Sequence, residues 1–370
     1  MQKKVLVTGG AGFIGSFIVD ELITRKHKVT ILDNLDPQVH NGVVPAYLNK
    51  QAKFVKGDIL DRKLLSSLVA DSDVIFHEAA AVGVGQSMYQ IEHYMDVNSQ
   101  GTALLLDVLV NQKNSVKKLV VAASMSSYGE GLYECKKCGL IKPTLRLEEQ
   151  MKEGRWELVC RKCGQEMKPI PTTEETIMDP NSIYALSKKN QEDMALMIGR
   201  TYGIPTVALR YFNVYGPRQS LSNPYTGVAA IFMSRLKNNN KPVIYEDGMQ
   251  TRDFVSVHDI VQANMLAMES EAANYNVFNV GTGIPRTIKS IAEDLSRLLG
   301  KKISPDITNK YRKGDVRYCY SDISKIKKLG FKPKTSFEDG LKELIVWSSD
   351  IKADDKFEQA ATELKNKGLI

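Results

Sequence analysis

Long apolar runs are missing from this chain of 370 residues, and none approaches the roughly 20 residues that a membrane-spanning helix needs. The apolar stretch near the N-terminus breaks at Thr8-Gly9-Gly10, so it is too short for the core of a secretion signal and is typical of a buried strand. These absences predict a protein without a membrane partner, and we expect a cytoplasmic location.

A strong excess of one charge is also missing. The chain has 50 Lys and Arg residues against 43 Asp and Glu residues, and its net charge of +7 is spread along the sequence. Even the segment 130–170 is mixed, with nine Lys or Arg residues and seven Glu residues. Nucleic-acid binders concentrate positive charge in a patch or stripe, so we predict an ordinary solvated surface and no nucleic-acid partner.

Cysteine is scarce, with five residues in the chain, yet four of them form two Cys-x-x-Cys pairs. The hydrophobic fraction of 43% and the charged fraction of 25% are those of ordinary globular proteins, so a core can form without disulfides. The pairs are Cys135 with Cys138 and Cys160 with Cys163. Four thiolates in this spacing are typical of a closed, structural zinc site, which we prefer to four free thiols.

Apolar strands alternate with helical stretches over most of the chain. Residues 5–7, 29–32, 73–76, 119–122 and 206–211 are predicted strands. This alternation predicts an α/β fold, a doubly wound parallel sheet covered by helices on both faces. The polar stretch 130–170 interrupts the pattern and is interpreted as an insertion that forms a zinc ribbon with four cysteine ligands.

Three glycines, Gly9, Gly12 and Gly15, recur between the first strand and the first helix. Glycine lets the backbone approach a pyrophosphate, and the helix N-terminus supplies free N–H groups. Asp33 ends the second strand, where a carboxylate accepts hydrogen bonds from the ribose of NAD and repels the extra phosphate of NADP. Such a glycine triplet is also compatible with a plain tight turn, but this context favours an NAD site.

The chain is expected to comprise five segments. They are a first part of the NAD-binding core over 1–129, the zinc-binding insertion over 130–170, the continued core with the catalytic helix over 171–216, a mainly substrate-binding lobe with returning core segments over 217–349, and a charged tail over 350–370.

Tyr184 and Lys188 lie on a helix predicted from Ser182 to Arg200, with Gly203 just past its end. Their i, i+4 spacing places both side chains on one face. Tyrosine titrates at about pH 10, and a neighbouring ammonium favours the phenolate, which can take a proton from a sugar hydroxyl. By itself the spacing also occurs in solvated surface pairs.

Several further motifs appear in a fixed order and cover nearly the whole chain outside 130–170 and the tail. They are Thr8-to-Gly15, Gly57-Asp58-Ile59, His77-Glu78-Ala79-Ala80, Val97-Asn98, Ser124-to-Gly129, Tyr184-to-Lys188, Arg210-to-Pro217 and Arg252-Asp253-Phe254. With these motifs the sequence closely resembles the extended short-chain dehydrogenase/reductase family, specifically its nucleotide-sugar epimerases.

The resemblance implies roles for individual residues. The catalytic residues would be Ser124, Tyr184 and Lys188. The cofactor would contact Tyr184 and Lys188 together with Gly9, Gly12, Phe13, Ile14, Gly15, Asp33, Asn34, Asp58, Ile59, Ala79, Ala80 and Asn98. The substrate would contact Ser126, Phe212, Asn213, Arg252 and Arg312. Two guanidiniums suit a diphosphate because their forked donors match phosphate oxygens, although Arg312 could instead be a surface loop charge.

Met125 and Ser126 bear on the reaction. The family's 4,6-dehydratases carry an Asp-Glu pair at these positions, and methionine cannot transfer protons, so dehydration is disfavoured. The resemblance implies a 4-epimerase that oxidises the sugar transiently at C4 and reduces the 4-keto intermediate from the opposite face. A Rossmann-fold binding protein without catalysis is disfavoured by the intact Ser124, Tyr184 and Lys188. A zinc-ribbon nucleic-acid binder is disfavoured by the mixed charge of 130–170.

The insertion, with Tyr128-to-Gly131 and Ser222-to-Gly227, resembles the group of dTDP-L-rhamnose 4-epimerases. This implies interconversion of dTDP-L-rhamnose and dTDP-6-deoxy-L-talose. The runner-up is a UDP-glucose/UDP-galactose 4-epimerase, followed by a sugar-nucleotide oxidoreductase or dehydratase. The expected partners are therefore a dTDP- or UDP-sugar and, because the family commonly pairs through a helix bundle, a second copy of the chain.

Overall fold

Strands alternate with helices through most of residues 2–370, which are the residues that the computed structural model describes. The strands are β1 (Lys4–Thr8), β2 (Lys28–Asp33), β3 (Lys53–Lys56), β4 (Val74–His77), β5 (Lys118–Ser124), β6 (Leu132–Cys135), β7 (Gly139–Ile141), β8 (Lys168–Ile170), β9 (Thr206–Tyr211), β10 (Asn213–Tyr215), β11 (Val243–Ile244), β12 (Thr251–Ser256), β13 (Asn276–Val280), β14 (Pro285–Thr287), β15 (Asp306–Ile307) and β16 (Tyr318–Cys319).

The helices vary from single turns to the long helix that carries Tyr184. They are α1 (Phe13–Thr24), α2 (Pro37–His40), α3 (Arg62–Ala70), α4 (Val84–Ser87), α5 (Ile91–Tyr94), α6 (Gly101–Asn111), α7 (Glu148–Lys152), α8 (Ile183–Tyr202), α9 (Val228–Lys237), α10 (Val257–Glu269), α11 (Ile288–Leu298), α12 (Ser324–Lys327), α13 (Phe337–Ser348) and α14 (Phe357–Asn366). A π-helical stretch, Met95–Gln100, joins α5 to α6, and 3-10 turns span Met125–Tyr128 and Glu271–Ala273.

Seven strands form one parallel sheet in the order β13-β9-β5-β4-β1-β2-β3. β2 and β3 lie on one side of β1, and β4 with the later strands lies on the other, so the winding direction reverses between β1 and β4. Ligands bind such sheets beyond the carboxyl ends of the strands at this reversal. The prediction of an α/β, doubly wound parallel sheet is therefore confirmed.

Helices cover both faces of this sheet because its strands are apolar on both sides. Val5 and Val7 of β1 pack into a cluster with α1 and α10, whereas Leu6 between them packs into a cluster with α3 and α6. All three side chains are at most 1% exposed. This alternation along one buried strand follows from the period of two in β-structure.

The helix α8 agrees closely with the prediction of a helix from Ser182 to Arg200. Ser182 is its N-cap and accepts a hydrogen bond from the backbone N–H of Ala185 at 3.1 Å. Gly203 is its C-cap in the left-handed conformation, with a φ of 66°. Both caps satisfy backbone groups that a helix leaves without internal partners.

A smaller lobe packs beside the main sheet. Its core brings together α9, α11 and α13, with Phe232, Ile291 and Leu341 almost fully buried. A sheet in the order β10-β12-β14, with β16 also paired to β12, runs between the two lobes, and β11 pairs with β15. The candidate substrate residues Asn213 and Arg252 lie on strands of this connecting sheet.

The segment 130–170 forms its own three-stranded antiparallel sheet in the order β7-β6-β8. A small core around Tyr133, Cys135 and Cys160 fills it. Leu132 pairs with Ile170, so the two ends of the segment lie side by side. The segment can therefore leave and rejoin the α/β core without disturbing the order of the main strands.

The charged tail gave no sharp signal in the sequence, yet it contains the helix α14. Among the residues that the structure describes, no helix combines the length and the hydropathy required to cross a membrane.

Candidate active site

One cavity of about 650 Å³ opens at the carboxyl ends of the parallel strands and runs between the two lobes. Its wall begins at the glycine loop of 9–15, passes Tyr184, and ends at Arg252 and Arg312. Residues of α14 also line it. One continuous cleft therefore joins the predicted cofactor loop to the predicted substrate residues.

The glycine loop lies tightly against its surroundings. Gly9 has a φ of +68°, and a Cβ built there would lie 2.7 Å from the backbone N of Ala79. A Cβ at Gly15 would lie 2.3 Å from the carbonyl O of Gly9. Gly12 is the N-cap of α1 and lines the cleft, as do Phe13 and Ile14 in the first turn of this helix. The N-terminus of α1 therefore lies at the cleft. Bulkier residues would fill the cradle into which a pyrophosphate fits.

Asp33 ends β2 beside this loop and is 8% exposed. Its carboxylate accepts hydrogen bonds from the backbone N–H groups of Ala11, at 3.0 Å, and Leu35, at 2.9 Å. The side chain therefore fixes the glycine loop as well as lining the cleft. Asn34 follows it on the wall and donates to Asp58 at 2.9 Å. The loop and Asp33 therefore fit NAD, which lacks the additional ribose phosphate of NADP.

Not every residue expected to hold the cofactor lines the cleft. Ile59, Ala79 and Ala80 line it, whereas Asp58 and Asn98 stand behind its wall in the part of the chain described, residues 2–370. Asn98 is fully buried, and its amide exchanges hydrogen bonds with the backbone of Ala81 at 2.8 and 3.1 Å. Asn98 thus supports the cleft wall from behind.

Ser124, Tyr184 and Lys188 are brought together at the centre of the cleft by two elements. Ser124 is the last residue of β5, and Tyr184 and Lys188 stand one turn apart on α8. The hydroxyls of Ser124 and Ser126 lie 2.8 Å apart. The first turn of α8 is tied to α4 by a hydrogen bond from the N–H of Tyr184 to Ser87 Oγ at 3.0 Å.

The pKa shifts of Tyr184 and Lys188 differ in part from the expectation that the lysine ammonium favours the phenolate of Tyr184. Removal from bulk water raises the pKa of Tyr184, and the Ser124 hydroxyl partly offsets this rise. Burial lowers the pKa of Lys188 to about 8, while the carboxylate of Glu78 raises it. The Lys188 ammonium donates to Gln191 Oε1 at 2.8 Å and is not a cause of the Tyr184 shift. In the chain alone, the phenol is therefore the favoured form of Tyr184.

Glu78 is a site residue that sequence reasoning missed. It lines the cleft at the end of β4, and desolvation raises its pKa to about 7, against the opposing effect of Lys188. The Tyr211 hydroxyl donates to it at 3.0 Å. The available signal was its place in the His77-to-Ala80 motif, where an acidic residue follows a buried, largely apolar strand.

The candidate substrate residues all line the cleft. Ser126, Phe212 and Asn213 line the part nearest Tyr184, and the side-chain oxygen of Asn213 is buried without a hydrogen-bond partner among the described residues. Such a group is available to a ligand, because an unmade buried hydrogen bond is costly.

The two arginines already have internal partners. Arg252 donates to the carbonyl oxygens of Val316, at 2.6 Å, and Arg317, at 3.3 Å. Arg312 donates to Asp315 at 2.8 Å and lies over the ring of Tyr245, with 4.8 Å from its central carbon to the ring centroid. Their guanidiniums thus line the cleft in fixed positions.

The four paired cysteines converge although 21 residues separate the two Cys-x-x-Cys pairs. Their sulfur atoms all lie within 4.8 Å of one another, and those of Cys135 and Cys163 are 3.5 Å apart. None of them forms a disulfide. Zinc–sulfur bonds of about 2.3 Å in a tetrahedron separate the sulfurs by about 3.8 Å, so these thiols fit one zinc ion.

The chain is similar in sequence to a known family and to known enzymes. The model of the "NAD dependent epimerase/dehydratase family" matches residues 5–281. The chain is 35% identical over 350 residues to a dTDP-L-rhamnose 4-epimerase of Burkholderia thailandensis, covering 93% of this chain and 94% of that protein.

Solved structures show the same fold. A UDP-glucose 4-epimerase of Thermotoga maritima with UDP-glucose is 32% identical, with a TM-score of 0.76, covering 93% of this chain and 98% of that one. A UDP-glucuronic acid 4-epimerase of Bacillus cereus, in complex with UDP-glucuronic acid and NAD, is 26% identical, with a TM-score of 0.77, covering 94% and 100%. The chain belongs to the NAD-dependent epimerase/dehydratase family, among the extended short-chain dehydrogenases/reductases.

Proposed function

We propose that this chain is an NAD-dependent 4-epimerase of nucleotide sugars that interconverts dTDP-L-rhamnose and dTDP-6-deoxy-L-talose. One observation carries the reaction type. Ser124, Tyr184 and Lys188 meet in the cleft, while Met125 and Ser126 occupy the positions of a dehydratase's carboxylates. We therefore take Tyr184 as the proton-transfer group, and one such group suffices for oxidation and reduction at a single carbon.

In this proposal Tyr184 is the acid/base that removes the proton of the C4 hydroxyl and later returns it. Ser124 ends β5 at the centre of the cleft, where its hydroxyl hydrogen-bonds the reacting sugar oxygen. Lys188 does not contribute to the pKa of Tyr184 in the chain alone, so we propose that its positive charge favours the phenolate once the cleft is filled. Burial raises the pKa of Tyr184 and so disfavours the phenolate. Activation therefore depends on the positive charges that are present when the site is filled.

NAD is the proposed cofactor, and when bound it supplies reversible oxidation at C4. The residues proposed to hold it are those of the glycine loop with Asp33, Asn34, Ile59, Ala79 and Ala80, all on the cleft wall. Asp58 and Asn98 act from behind this wall by fixing Asn34 and Ala81. The cofactor is restored in each cycle, so it should stay bound through purification.

The substrate assignment rests on the similarity to the enzyme from Burkholderia thailandensis and on the resemblance carried by the insertion. The second candidate is UDP-glucose/UDP-galactose, favoured by the UDP-glucose that the Thermotoga maritima structure holds at 32% identity. We propose Arg252 and Arg312 as the diphosphate ligands and Ser126, Phe212 and Asn213 as contacts of the sugar. Incubation of the purified protein with a panel of dTDP- and UDP-sugars, followed by NMR of the products, tests the assignment.

The outcomes of this panel are distinct. Conversion of dTDP-L-rhamnose to the C4 epimer supports the proposal in full. Conversion of UDP-glucose alone supports 4-epimerisation but identifies UDP-glucose, and not dTDP-L-rhamnose, as the substrate. Loss of water from any sugar, or net production of NADH in step with turnover, rejects epimerisation.

We further propose that the four cysteines hold one structural zinc and that the five sequence segments, with the insertion at 130–170, are the units of the chain. The adjacent ends of the insertion at Leu132 and Ile170 support its boundaries. Elemental analysis should find about one zinc per chain, and Cys160→Ser should lose it, since three protein ligands leave a closed site open. A zinc content far below one in protein kept free of chelators contradicts the site.

A homodimer is also proposed. Leu186 and Met197 on α8 are 38% and 63% exposed and lie about three helical turns apart on one face. Exposed apolar residues on one helix face suit a helix-bundle contact between two copies. Analytical ultracentrifugation should give twice the mass of the chain, and Met197→Glu should shift the protein toward the monomer. A monomeric wild-type protein contradicts this proposal.

A further inference from the structure

A network of charges, buried except for the partly exposed Glu157, joins the insertion to the smaller lobe. We call this network the brace. It consists of Glu130, Arg146 and Glu157 from the insertion and of Glu246 and Arg317, which lie on the side of the smaller lobe. Arg146 donates to both carboxylate oxygens of Glu246 at 2.8 Å, and both side chains are 1% exposed. Such bidentate pairs fix orientation as well as position.

Arg317 is the centre of the brace on the lobe side and is fully buried. Its guanidinium pairs with Glu246 at 3.0 Å and with Glu157 at 2.5 Å. Its backbone N–H donates to Glu130 Oε1 at 2.7 Å. Carboxylates from both the insertion and the lobe therefore hold this one residue in place.

The segment 312–318 lies between the brace and the cleft. On the brace side, Arg146 also donates to the carbonyl oxygen of Asp315 at 3.0 Å. On the cleft side, Asp315 accepts from Arg312 and the carbonyl of Val316 accepts from Arg252, at 2.8 and 2.6 Å. The guanidiniums that line the diphosphate end of the cleft are thus held by a segment that the insertion itself holds.

We propose that the insertion positions the diphosphate-binding arginines, with Arg146 as the positioning residue that couples the folded, metal-holding insertion to nucleotide affinity. The inference rests on the proposed function, because it takes a nucleotide diphosphate as the ligand of Arg252 and Arg312. Arg146 itself does not line the cleft in residues 2–370, so its effect on binding is transmitted through Asp315. A purely structural role would lower stability and leave the affinity of the folded protein unchanged.

The first experiment compares Arg146→Met with Arg146→Lys and the control Arg155→Met in the full chain. Arg155 lies in the same insertion, but it and its ion-pair partner Glu153 are 67% and 60% exposed. Binding of dTDP and UDP is measured by titration calorimetry well below each variant's Tm, together with KM, kcat and bound NAD.

The expected result is a loss of dTDP affinity of about tenfold or more in Arg146→Met, with kcat within about twofold of wild type and NAD retained. Arg146→Lys keeps the positive charge but offers one donor nitrogen instead of a forked pair, so its loss of dTDP affinity should be smaller. Arg155→Met should bind dTDP as wild type does. A folded Arg146→Met that binds dTDP with wild-type affinity overturns the inference. Wild-type protein that binds neither dTDP nor UDP instead rejects the proposed function.

A second measurement decides the case in which Arg146→Met does not fold. Wild-type protein is stripped of metal with a chelator, and amide hydrogen exchange is followed with and without added zinc. Protection of 312–318 should fall on stripping and return with zinc, with dTDP affinity changing in parallel. Unchanged protection of 312–318, in a stripped protein whose insertion has lost its own protection, overturns the coupling.

Discussion

Lys188 donates a hydrogen bond from its ammonium to the side-chain oxygen of Gln191, 2.8 Å away. The amide nitrogen of Gln191 donates in turn to the hydroxyl of Thr102 at 2.8 Å, and Thr102 donates to the carbonyl of Asn98 at 2.6 Å. Each group has a defined direction, so the amide oxygen must face Lys188. The lysine proposed for catalysis is therefore held by an oriented, buried chain of polar side chains.

The pH dependence of activity should reflect this lysine. Burial lowers the pKa of Lys188 to about 8, so its ammonium is present below that pH and lost above it. We expect kcat/KM to fall as the pH rises through about 8. Gln191→Glu places a carboxylate beside the ammonium and should move this fall upward by about one unit. Gln51→Glu, on the exposed surface, is the control, and an alkaline fall that stays in place in Gln191→Glu contradicts the assignment.

Removing the phenol should abolish most of the activity without removing the cofactor. Tyr184→Phe is expected to lower kcat on the order of 100- to 10,000-fold, the usual worth of a general acid/base group, while NAD stays bound. Tyr202→Phe at the other end of α8, where the side chain is 55% exposed, is the matched control. Steady-state kinetics with NMR detection measures both. Activity within a few-fold of wild type in Tyr184→Phe is incompatible with the proposed role.

Asp33 should determine both cofactor retention and cofactor choice. Asp33→Ala removes a carboxylate that the Ala11 and Leu35 N–H groups hold in place on the cleft wall. Loss of hydrogen bonds to a charged group should weaken NAD binding by about tenfold or more and narrow the preference for NAD over NADP. Asp107→Ala, which breaks a surface pair with Arg62, is the control. Wild-type NAD content and preference in Asp33→Ala would exclude this role.

The tail helix should contribute to substrate binding. Glu363 of α14 accepts hydrogen bonds from Tyr89 at 3.0 Å and Tyr225 at 2.5 Å, so it ties the tail to Tyr225, which lines the cleft. Glu363→Ala should raise KM several-fold and leave kcat nearly unchanged, because α14 lines the cavity and Glu363 has no hydrogen bond to Ser124, Tyr184 or Lys188 in the described residues. Glu338→Ala, which breaks only exposed ion pairs, should leave both constants unchanged. A lower kcat at constant KM would contradict this account.

Much of the core could be predicted because its signals are local. Apolar runs identify β1, β2, β4, β5 and β9, and Ser182 and Gly203 mark the ends of α8 through capping chemistry. The glycine loop and Asp33 are read from adjacent elements in the same way. Most of the residues expected from family motifs line the same cleft, because parallel strands place their carboxyl ends at one edge of the sheet.

The parts that could not be predicted depend on long-range pairing. Arg146 and Glu246 are 100 residues apart, and nothing local to either residue identifies its partner. The helix α14 was not predicted because it is only ten residues long and mostly polar, although its buried residues Ala360 and Leu364 share one face, and hydrogen bonds from Tyr89 and Tyr225 to Glu363 position it. Glu78 and Gln191 were missed because their importance arises from burial beside Lys188.

The most direct test of the central claim follows a deuterium label at C4 of dTDP-L-rhamnose through one incubation with purified protein. We predict that dTDP-6-deoxy-L-talose forms with the label still at C4 and without accumulation of NADH, because the deuteride removed from C4 would be kept by the bound NAD and returned to the same carbon, while Tyr184 returns the proton to the C4 oxygen. Loss of the label to solvent, or NADH that rises in proportion to product, would contradict it.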